Sequence, residues 1–299
     1  MHYGLILPTK RAGANPDAIL AGAQTAERLG WRTLWADDHI LVDGGEPGPY
    51  RTIFEVITTL AWLGGQTSRI RLGTSVIVVP QRNAVVTAKE LATVDVLTGG
   101  RVVAGVGLGW NEQEYRNLGA GDRFHVRGAY LDETIRLWRH LWSGNEEPFE
   151  GRFHEIPSAT LLPPPIQGGS LPIVVGGRSD HGVRRAGRLG DGYHLSQNGP
   201  DGMAARLPIL REAAEGAGRP MPPISARAQV YFGPPPGGAT PAALHGDAAS
   251  IGRVIDEWDD LGLDELALDF DENDADRLVA KMERLEREVL APRLASRVA

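Results

Sequence analysis

Short apolar runs and longer amphipathic segments alternate along the whole chain. The apolar runs are Tyr3–Leu7, Thr33–Ala36, Ile70–Val79, Val102–Val106, Ile173–Val175, Gly192–Leu195, Ile224–Phe232 and Glu265–Asp269, each of a length suited to a buried strand. Between them, helical spacing runs over Pro16–Leu29, Thr52–Leu63, Val85–Leu97, Glu112–Leu118, Arg127–Trp142, His181–Leu189, Met203–Ala217, Ser250–Leu261 and Ala275–Leu290. Gly30 and the Gly99-Gly100 pair stop the first and third of these helices. Strands that alternate with helices imply a parallel sheet, and eight such units predict a closed (β/α)8 TIM barrel. An open doubly wound sheet is the alternative.

The alternation breaks from Ser143 to Leu171. Glu150-Gly151-Arg152-Phe153-His154-Glu155 reads as a small hairpin there, and Pro163-Pro164-Pro165 follows. The segment is expected to be an insertion after the fourth unit, about residues 143–171, within one domain spanning 1–299. Gly/Pro-rich loops are expected at Asp43–Tyr50 and Gly233–Gly238.

Length fits this picture: 299 residues suit a barrel that typically needs ~250. A hydrophobic share of 42% supplies a large core, and a net charge of -7 argues against a nucleic-acid partner. The absence of cysteine excludes disulfides, thiolate catalysis and cysteine-based metal or iron–sulfur sites. Met1-His2-Tyr3-Gly4 enters a strand without the basic and apolar regions of a signal peptide, and no run of ~18 apolar residues exists to span a membrane. A cytoplasmic protein is expected.

In a barrel of this kind, chemistry collects where strands end. Three stretches stand there. Arg101-Val102-Val103-Ala104-Gly105-Val106-Gly107-Leu108-Gly109-Trp110-Asn111 is an apolar run that ends in spaced glycines, leaving backbone open to a flat or anionic ligand. Asp37-Asp38-His39 places a residue that titrates near neutrality behind two acids, suited to passing a proton or to a purely structural hydrogen bond. Gly176-Gly177-Arg178-Ser179 precedes a helix with Ser179 as N-cap, which makes either a phosphate cradle or a tight turn. In Leu72-Gly73-Thr74-Ser75-Val76-Ile77-Val78-Val79-Pro80, small polar residues inside an apolar run would leave room for a ring system or simply fit a narrow barrel. Trp35 and Trp110 lie near strand ends by the expected mouth, whereas Trp138 and Trp142 are one helical turn apart and should pack.

Rival chemistries find less support. Leu5–Lys10 carries no paired histidines for a barrel metallohydrolase, and no metal is expected. Only Lys10, Lys89 and Lys281 exist, none on a middle or late strand where a Schiff-base lysine would sit. No G-x-S-x-G elbow occurs. A barrel with a cradle, space for a ring and one proton-passing histidine suits a cofactor that carries the hydride itself.

These residues resemble the bacterial luciferase-like family, whose members bind FMN or coenzyme F420, an 8-hydroxy-5-deazaflavin, in a (β/α)8 barrel. The likeness covers nearly the whole chain. It rests on Glu27-Arg28-Leu29-Gly30-Trp31, Asp37-Asp38-His39, Leu72-Gly73-Thr74-Ser75-Val76, the stretches Leu91 to Arg101 and Gly105 to Asn111, Gly176-Gly177-Arg178-Ser179 and Ala186-Gly187-Arg188-Leu189-Gly190-Asp191-Gly192.

The resemblance implies that Asp38 and His39 face the ring, with His39 as catalytic proton donor or acceptor. It also implies that Ser75-Val76 forms a supporting bulge, often with a cis peptide. Gly107, Gly109 and Asn111 would approach the cofactor, and Gly176, Gly177, Arg178 and Ser179 would hold its phosphate. From their place by the mouth, Trp35 and Trp110 are expected to border the substrate. Sugar-phosphate dehydrogenases of the family carry a Glu where Trp110 stands and lysines that the late barrel lacks, so that substrate is disfavoured. The resemblance therefore implies a coenzyme F420-dependent oxidoreductase acting on a small organic substrate, and a homodimer paired through outer helices such as Thr52–Leu63. An FMN-dependent monooxygenase is the alternative in chemistry, and a non-catalytic flavin-binding protein the alternative in class.

Overall fold

The computed structural model describes residues 1–42, 48–238 and 240–293. Eight parallel strands form a closed ring: β1 (His2–Ile6), β2 (Thr33–Ala36), β3 (Arg71–Thr74), β4 (Val102–Gly107), β5 (Ile173–Gly176), β6 (Gly192–Leu195), β7 (Ile224–Phe232) and β8 (Glu265–Asp269). Each pairs with the next in chain order, and β8 closes on β1 through Tyr3 opposite Leu266 and Leu5 opposite Leu268. The expected (β/α)8 barrel is the fold.

The two faces of each strand divide the core in two. Leu5, Leu34, Leu72, Ala104, Ile173, Leu195 and Leu268 point outward into one large apolar layer beneath the helices. Ile6, Trp35, Val103 and Ala267 form a second, inner core within the ring. Glycine makes room for the indole there. A Cβ on Gly73 would lie 2.5 Å from the Trp35 ring, and one on Gly4 would lie 3.0 Å from it.

The helices are α1 (Pro16–Arg28), α2 (Val56–Gly64), α3 (Ala84–Thr98), α4 (Glu112–Asn117), α5 (Arg127–Trp142), α6 (Asp180–Leu189), α7 (Pro200–Ala204), α8 (Leu207–Gly216), α9 (Ala248–Asp260) and α10 (Ala275–Leu285). Their starts follow local chemistry. Asn15 caps α1, Asn83 caps α3 and Ser179 caps α6, each accepting a first-turn backbone N–H. Gly99 ends α3 at φ 73°, a left-handed conformation that glycine takes without a Cβ clash. Trp138 and Trp142 pack with ring centroids 5.3 Å apart, and their indoles donate to the carbonyls of Ala84 and Ala88.

Between α5 and β5 lies an antiparallel hairpin, Phe149–Glu150 with Glu155–Ile156, outside the barrel ring. Glu133 on α5 organises its turn by accepting the N–H groups of Arg152, Phe153 and His154 at 2.7, 2.7 and 2.8 Å.

Several boundaries differ from expectation. The run Ile70–Val79 is not one strand: β3 ends at Thr74, and Ile77–Val78 resumes pairing with β4 beyond a cis Ser75–Val76 peptide. The segment Thr52–Leu63 becomes helical only at Val56, because Ile53 first bridges to Lys10. Met203–Ala217 divides into α7 and α8 around Ala205-Arg206. The last helix leaves α geometry at Glu286–Leu290, which forms a π turn. A strand at Ala243–Gly246, unanticipated from its mixed sequence, extends the sheet beside β7. Asp43–Pro47 of the expected Asp43–Tyr50 loop lies outside the described residues.

Candidate active site

The C-terminal ends of the strands gather a cluster of buried polar side chains, among them Lys10, Asp37, Asp38, His39, Thr74, Ser75 and Asp269. At the end of β3, Thr74 donates its hydroxyl to the carbonyl of Gly105 at 2.6 Å, and the Ser75–Val76 bulge follows. The Val76 side chain lies between two neighbouring strands. A Cβ on Gly107 would come within 2.4 Å of one of its methyls, and a Cβ on Gly176 within 2.8 Å of the other. Both glycines are therefore required by Val76 itself. Gly109, at φ 64°, lies against Val78 in the same way.

His39 follows β2 and is buried. Its Nδ1 lies 2.8 Å from Oε2 of Glu114 on α4. The other oxygen of Glu114 accepts the N–H groups of Ile40 and Leu41 at 2.7 and 3.2 Å, and Gln81 donates to Oε2 at 3.3 Å. Burial raises the Glu114 carboxyl, but the hydrogen bonds from His39 and Ile40 outweigh it and hold the group below its ordinary range. An ionised carboxylate on Nδ1 keeps a proton there, so Nε2 is the nitrogen free to exchange one. Tyr50 packs on the imidazole with centroids 4.1 Å apart, and Trp110 meets its edge at 6.0 Å.

Below this pair an ion network crosses the ring. Lys10 Nζ sits 2.6 Å from Asp37 and 3.2 Å from Asp269, while Arg227 on β7 bonds to Asp37 from the opposite side. Burial opposes ionisation of Asp37, yet Arg227 and Lys10 hold its carboxyl far below the usual range. Two cations thus face two carboxylates in the same mouth.

A neutral chain leaves this network. Arg227 Nη1 donates to Ser75 Oγ at 3.1 Å, so the Ser75 hydroxyl is free to donate to His194 Nε2 at 2.9 Å. His194 must then carry its proton on Nδ1, which reaches Ser225 Oγ at 2.7 Å. Burial, reinforced by the nearby Arg227 charge, pushes the His194 imidazole down to about 3, so it is neutral at physiological pH. Trp35 stacks on it at 4.7 Å.

On the far side of the mouth, Tyr193 donates to the carbonyl of Gly177 at 2.8 Å and fixes the loop Gly176–Ser179. Ser179 Oγ accepts the Gly182 N–H at 3.3 Å and opens α6. The exposed Arg178 side chain reaches Gln197 at 2.7 Å, and its carbonyl holds the Arg206 guanidinium at 2.6 and 3.0 Å. Two guanidinium groups and a helix N-terminus converge here, a setting that favours an anion.

The residues singled out from sequence are not all used alike. His39, Ser75, Val76, Gly107, Gly109, Gly176, Gly177, Arg178, Ser179 and Trp110 all lie around the mouth. Trp35 does not: it is 2% exposed and its indole donates to Glu265 at 2.7 Å inside the barrel. Asp38 turns away from the mouth, accepting the Val78 N–H at 2.8 Å and pairing with Arg82 at 2.6 Å. The Asn111 side chain caps α4 through the Glu114 N–H, so it supports Glu114.

Lys10, which sequence reasoning set aside, lies at the centre of the mouth, and Arg227, Asp269, His194, Glu114 and Tyr50 were not anticipated at all. A signal existed for two of them, Arg227 and Asp269. In Ile224–Phe232, Ser225, Arg227 and Gln229 alternate with Ala226, Ala228 and Val230, and Glu265, Ala267 and Asp269 share one face of β8. Polar residues with period two in a strand covered by helices must point into the barrel.

Fold and mouth together place the chain among (β/α)8 barrels that work at the C-terminal ends of their strands. It belongs to the luciferase-like monooxygenase family, whose model matches residues 1–279. Among named relatives, the F420-dependent glucose-6-phosphate dehydrogenase of Kineococcus radiotolerans is 34% identical over 214 residues, which are 68% of this chain and 60% of that one. The aligned region thus spans less than two thirds of that relative's length. An F420-dependent secondary alcohol dehydrogenase, solved with an F420–acetone adduct, superposes with a TM-score of 0.81 at 18% identity, covering 96% of this chain and 98% of the other. A monooxygenase from Streptomyces bottropensis superposes with a TM-score of 0.77 at 22% identity, covering 98% of this chain and all of its own, 100%.

Proposed function

We propose that the protein is a coenzyme F420-dependent oxidoreductase that moves a hydride between the deazaflavin and a small organic carbonyl, alcohol or activated alkene. The observation that carries this reading is the His39–Glu114 pair, set beside a bulge that could support a planar ring, in a family with F420-dependent members.

The mouth fits such a cofactor. Val76 of the bulge packs against Gly176, the first residue of the anion-favouring loop, so the two parts of the mouth are contiguous. Ser75 and Val76 would support the ring, Gly107 and Gly109 would border it, and Gly176, Gly177, Arg178 and Ser179 would hold the phosphate.

When bound, coenzyme F420 supplies the hydride; the chain supplies the proton. Glu114 fixes Nδ1–H of His39, which leaves Nε2 to give a proton to a carbonyl oxygen or to take one from an alcohol. Asn111 positions Glu114 through the start of α4. Asp38, through Val78 and Arg82, holds the segment after the bulge. Trp110 and Tyr50 would form an aromatic wall around a small substrate. Lys10 and Arg227 are already neutralised by Asp37 and Asp269, so the mouth has little charge left for a sugar phosphate. For that reason the Kineococcus relative's substrate is not carried over.

In the same reading residues 1–299 form one cytoplasmic barrel domain with 143–171 as its insertion. The chain pairs as a homodimer through α2 and α3, where Trp62, Val86 and Leu97 are exposed apolar residues. A single monomer mass at all concentrations in light scattering would remove the dimer.

The likeness to a monooxygenase keeps an FMN reading in play, in which reduced flavin would activate oxygen. Anaerobic titration with coenzyme F420 and with FMN, followed by single turnover of the reduced form against ketones and enones, separates the two. Selective F420 binding with cofactor oxidation is expected. FMN preference with oxygen consumption would overturn the proposal, and tight F420 binding without any turnover would leave a cofactor carrier.

A further inference from the structure

A cavity of about 700 Å³ opens on the flank of the barrel between α5, α6 and α8. Four arginines, Arg127, Arg184, Arg185 and Arg188, face only two carboxylates in its wall, Asp132 and Glu212, although the whole chain carries a net charge of -7. Three of the arginines come from α6 and, with His181, stand at positions i, i+3, i+4 and i+7, which form one continuous face. That face begins two residues after Ser179, and Leu108, from the loop after β4, lines the same cavity. The stripe therefore leads away from the anion-favouring loop at the mouth.

Not all of this charge is structural. Arg185 is buried and held by Asp132 and the Gly128 carbonyl. Arg184 and Arg188 are different: their side chains are 45% and 52% exposed, and among the described residues each makes one ion pair, to Glu212 at 3.1 Å and to Asp132 at 3.3 Å. Pairs so exposed hold weakly and can exchange partners. Arg127 adds a buried Nε–H that has no hydrogen-bond partner among the described residues.

We propose that this cavity binds a multiply anionic chain, carrying carboxylate or phosphate groups, that runs from the Gly176–Ser179 loop along α6. Arg127, Arg184 and Arg188 are its contacts. Two sources have this chemistry: a free polycarboxylate, or the oligoglutamate tail that follows the phosphate in coenzyme F420 and is missing from FMN. The second source rests on the cofactor reading above; the site itself does not.

The test titrates the full chain with coenzyme F420 bearing its tail, with the same coenzyme lacking glutamates, and with citrate as a free anion. The same titrations are run on an Arg184→Gln/Arg188→Gln variant. The expected result is about tenfold tighter binding of the tailed form by the unsubstituted protein, as two weak ion pairs acting together would give, and equal binding of both forms by the variant. If the two coenzyme forms bind alike but citrate raises the melting temperature of the unsubstituted protein and not of the variant, the ligand is a free polycarboxylate and the site stands. If neither coenzyme form binds while that citrate shift persists, the cofactor reading has failed and the site again stands. Absence of any effect that depends on Arg184 and Arg188 overturns the proposal.

Discussion

Glu114 Oε2 and His39 Nδ1 lie 2.8 Å apart although 75 residues separate them in sequence. This contact fixes the imidazole's tautomer and its plane together. Glu114→Gln keeps an acceptor for Nδ1–H and removes the charge that would stabilise an imidazolium. Turnover should fall about 10–100-fold with cofactor affinity nearly unchanged, as for an orienting carboxylate behind a catalytic histidine. Steady-state kinetics beside a binding titration checks this; a parallel loss of affinity would make Glu114 a structural residue only.

His39 itself should matter more. His39→Ala is expected to cut turnover by ~10²–10⁴ and leave cofactor affinity within about threefold, the usual contribution of a positioned acid or base. His39→Asn should be nearly as slow, since it can hydrogen-bond but not titrate. Near-normal rates in either variant would place the proton step on another group.

Among the described residues the Arg178 side chain reaches only Gln197, and it is exposed, so its share in holding a phosphate is modest. Arg178→Ala should weaken binding of the phosphorylated cofactor by about 1 kcal/mol, at the low end for a charge-assisted hydrogen bond. Isothermal titration at two salt concentrations reads it, and the loss should shrink at high salt.

The Val76 methyls bear on both Gly107 and Gly176. Gly107→Ala should destabilise the fold by ~1–3 kcal/mol through overpacking. Adding Val76→Ala should recover most of that loss, because the clash is between those two side chains. Urea unfolding of the single and double variants would reveal it, and additive losses would contradict the packing account.

His194 makes stability pH-dependent. Its imidazole is pushed down to about 3 in the folded chain, chiefly by burial, against an ordinary value of about 6.5 when unfolded. Below that value the unfolded chain takes a proton the native one refuses, so stability should decline as pH falls from about 6.5 towards 3. For this one group the loss between pH 7.5 and pH 5 is about 2 kcal/mol. His194→Gln should flatten the profile by that amount in urea unfolding series, whatever its stability at neutral pH.

Much of this molecule was legible before its structure. Strand ends, the Gly99 stop, the Ser179 cap and the His39 position all follow from local chemistry, which neighbouring residues carry in full. What escaped depends on which way an alternating side chain points and on contacts across the ring. Trp35 sits at the end of a strand but on its inner face, so it fills the barrel instead of edging the mouth. Lys10 follows the first strand, where Asp37 reaches it from the neighbouring strand, and only ring closure brings Asp269 to it. Glu114 occupies the first turn of a short helix where an acid is ordinary, and nothing near it in sequence announces His39.

The Lys10–Asp269 contact joins residues 259 positions apart. During synthesis the lysine that follows the first strand must therefore wait for the last strand before it acquires a second carboxylate. A nascent or clipped chain that stops short of β8 can hold several finished strand–helix units and still have an open seam, with a buried cation facing only Asp37. Such a chain would lack a working mouth, so the closing strand acts as the protein's own check on completeness.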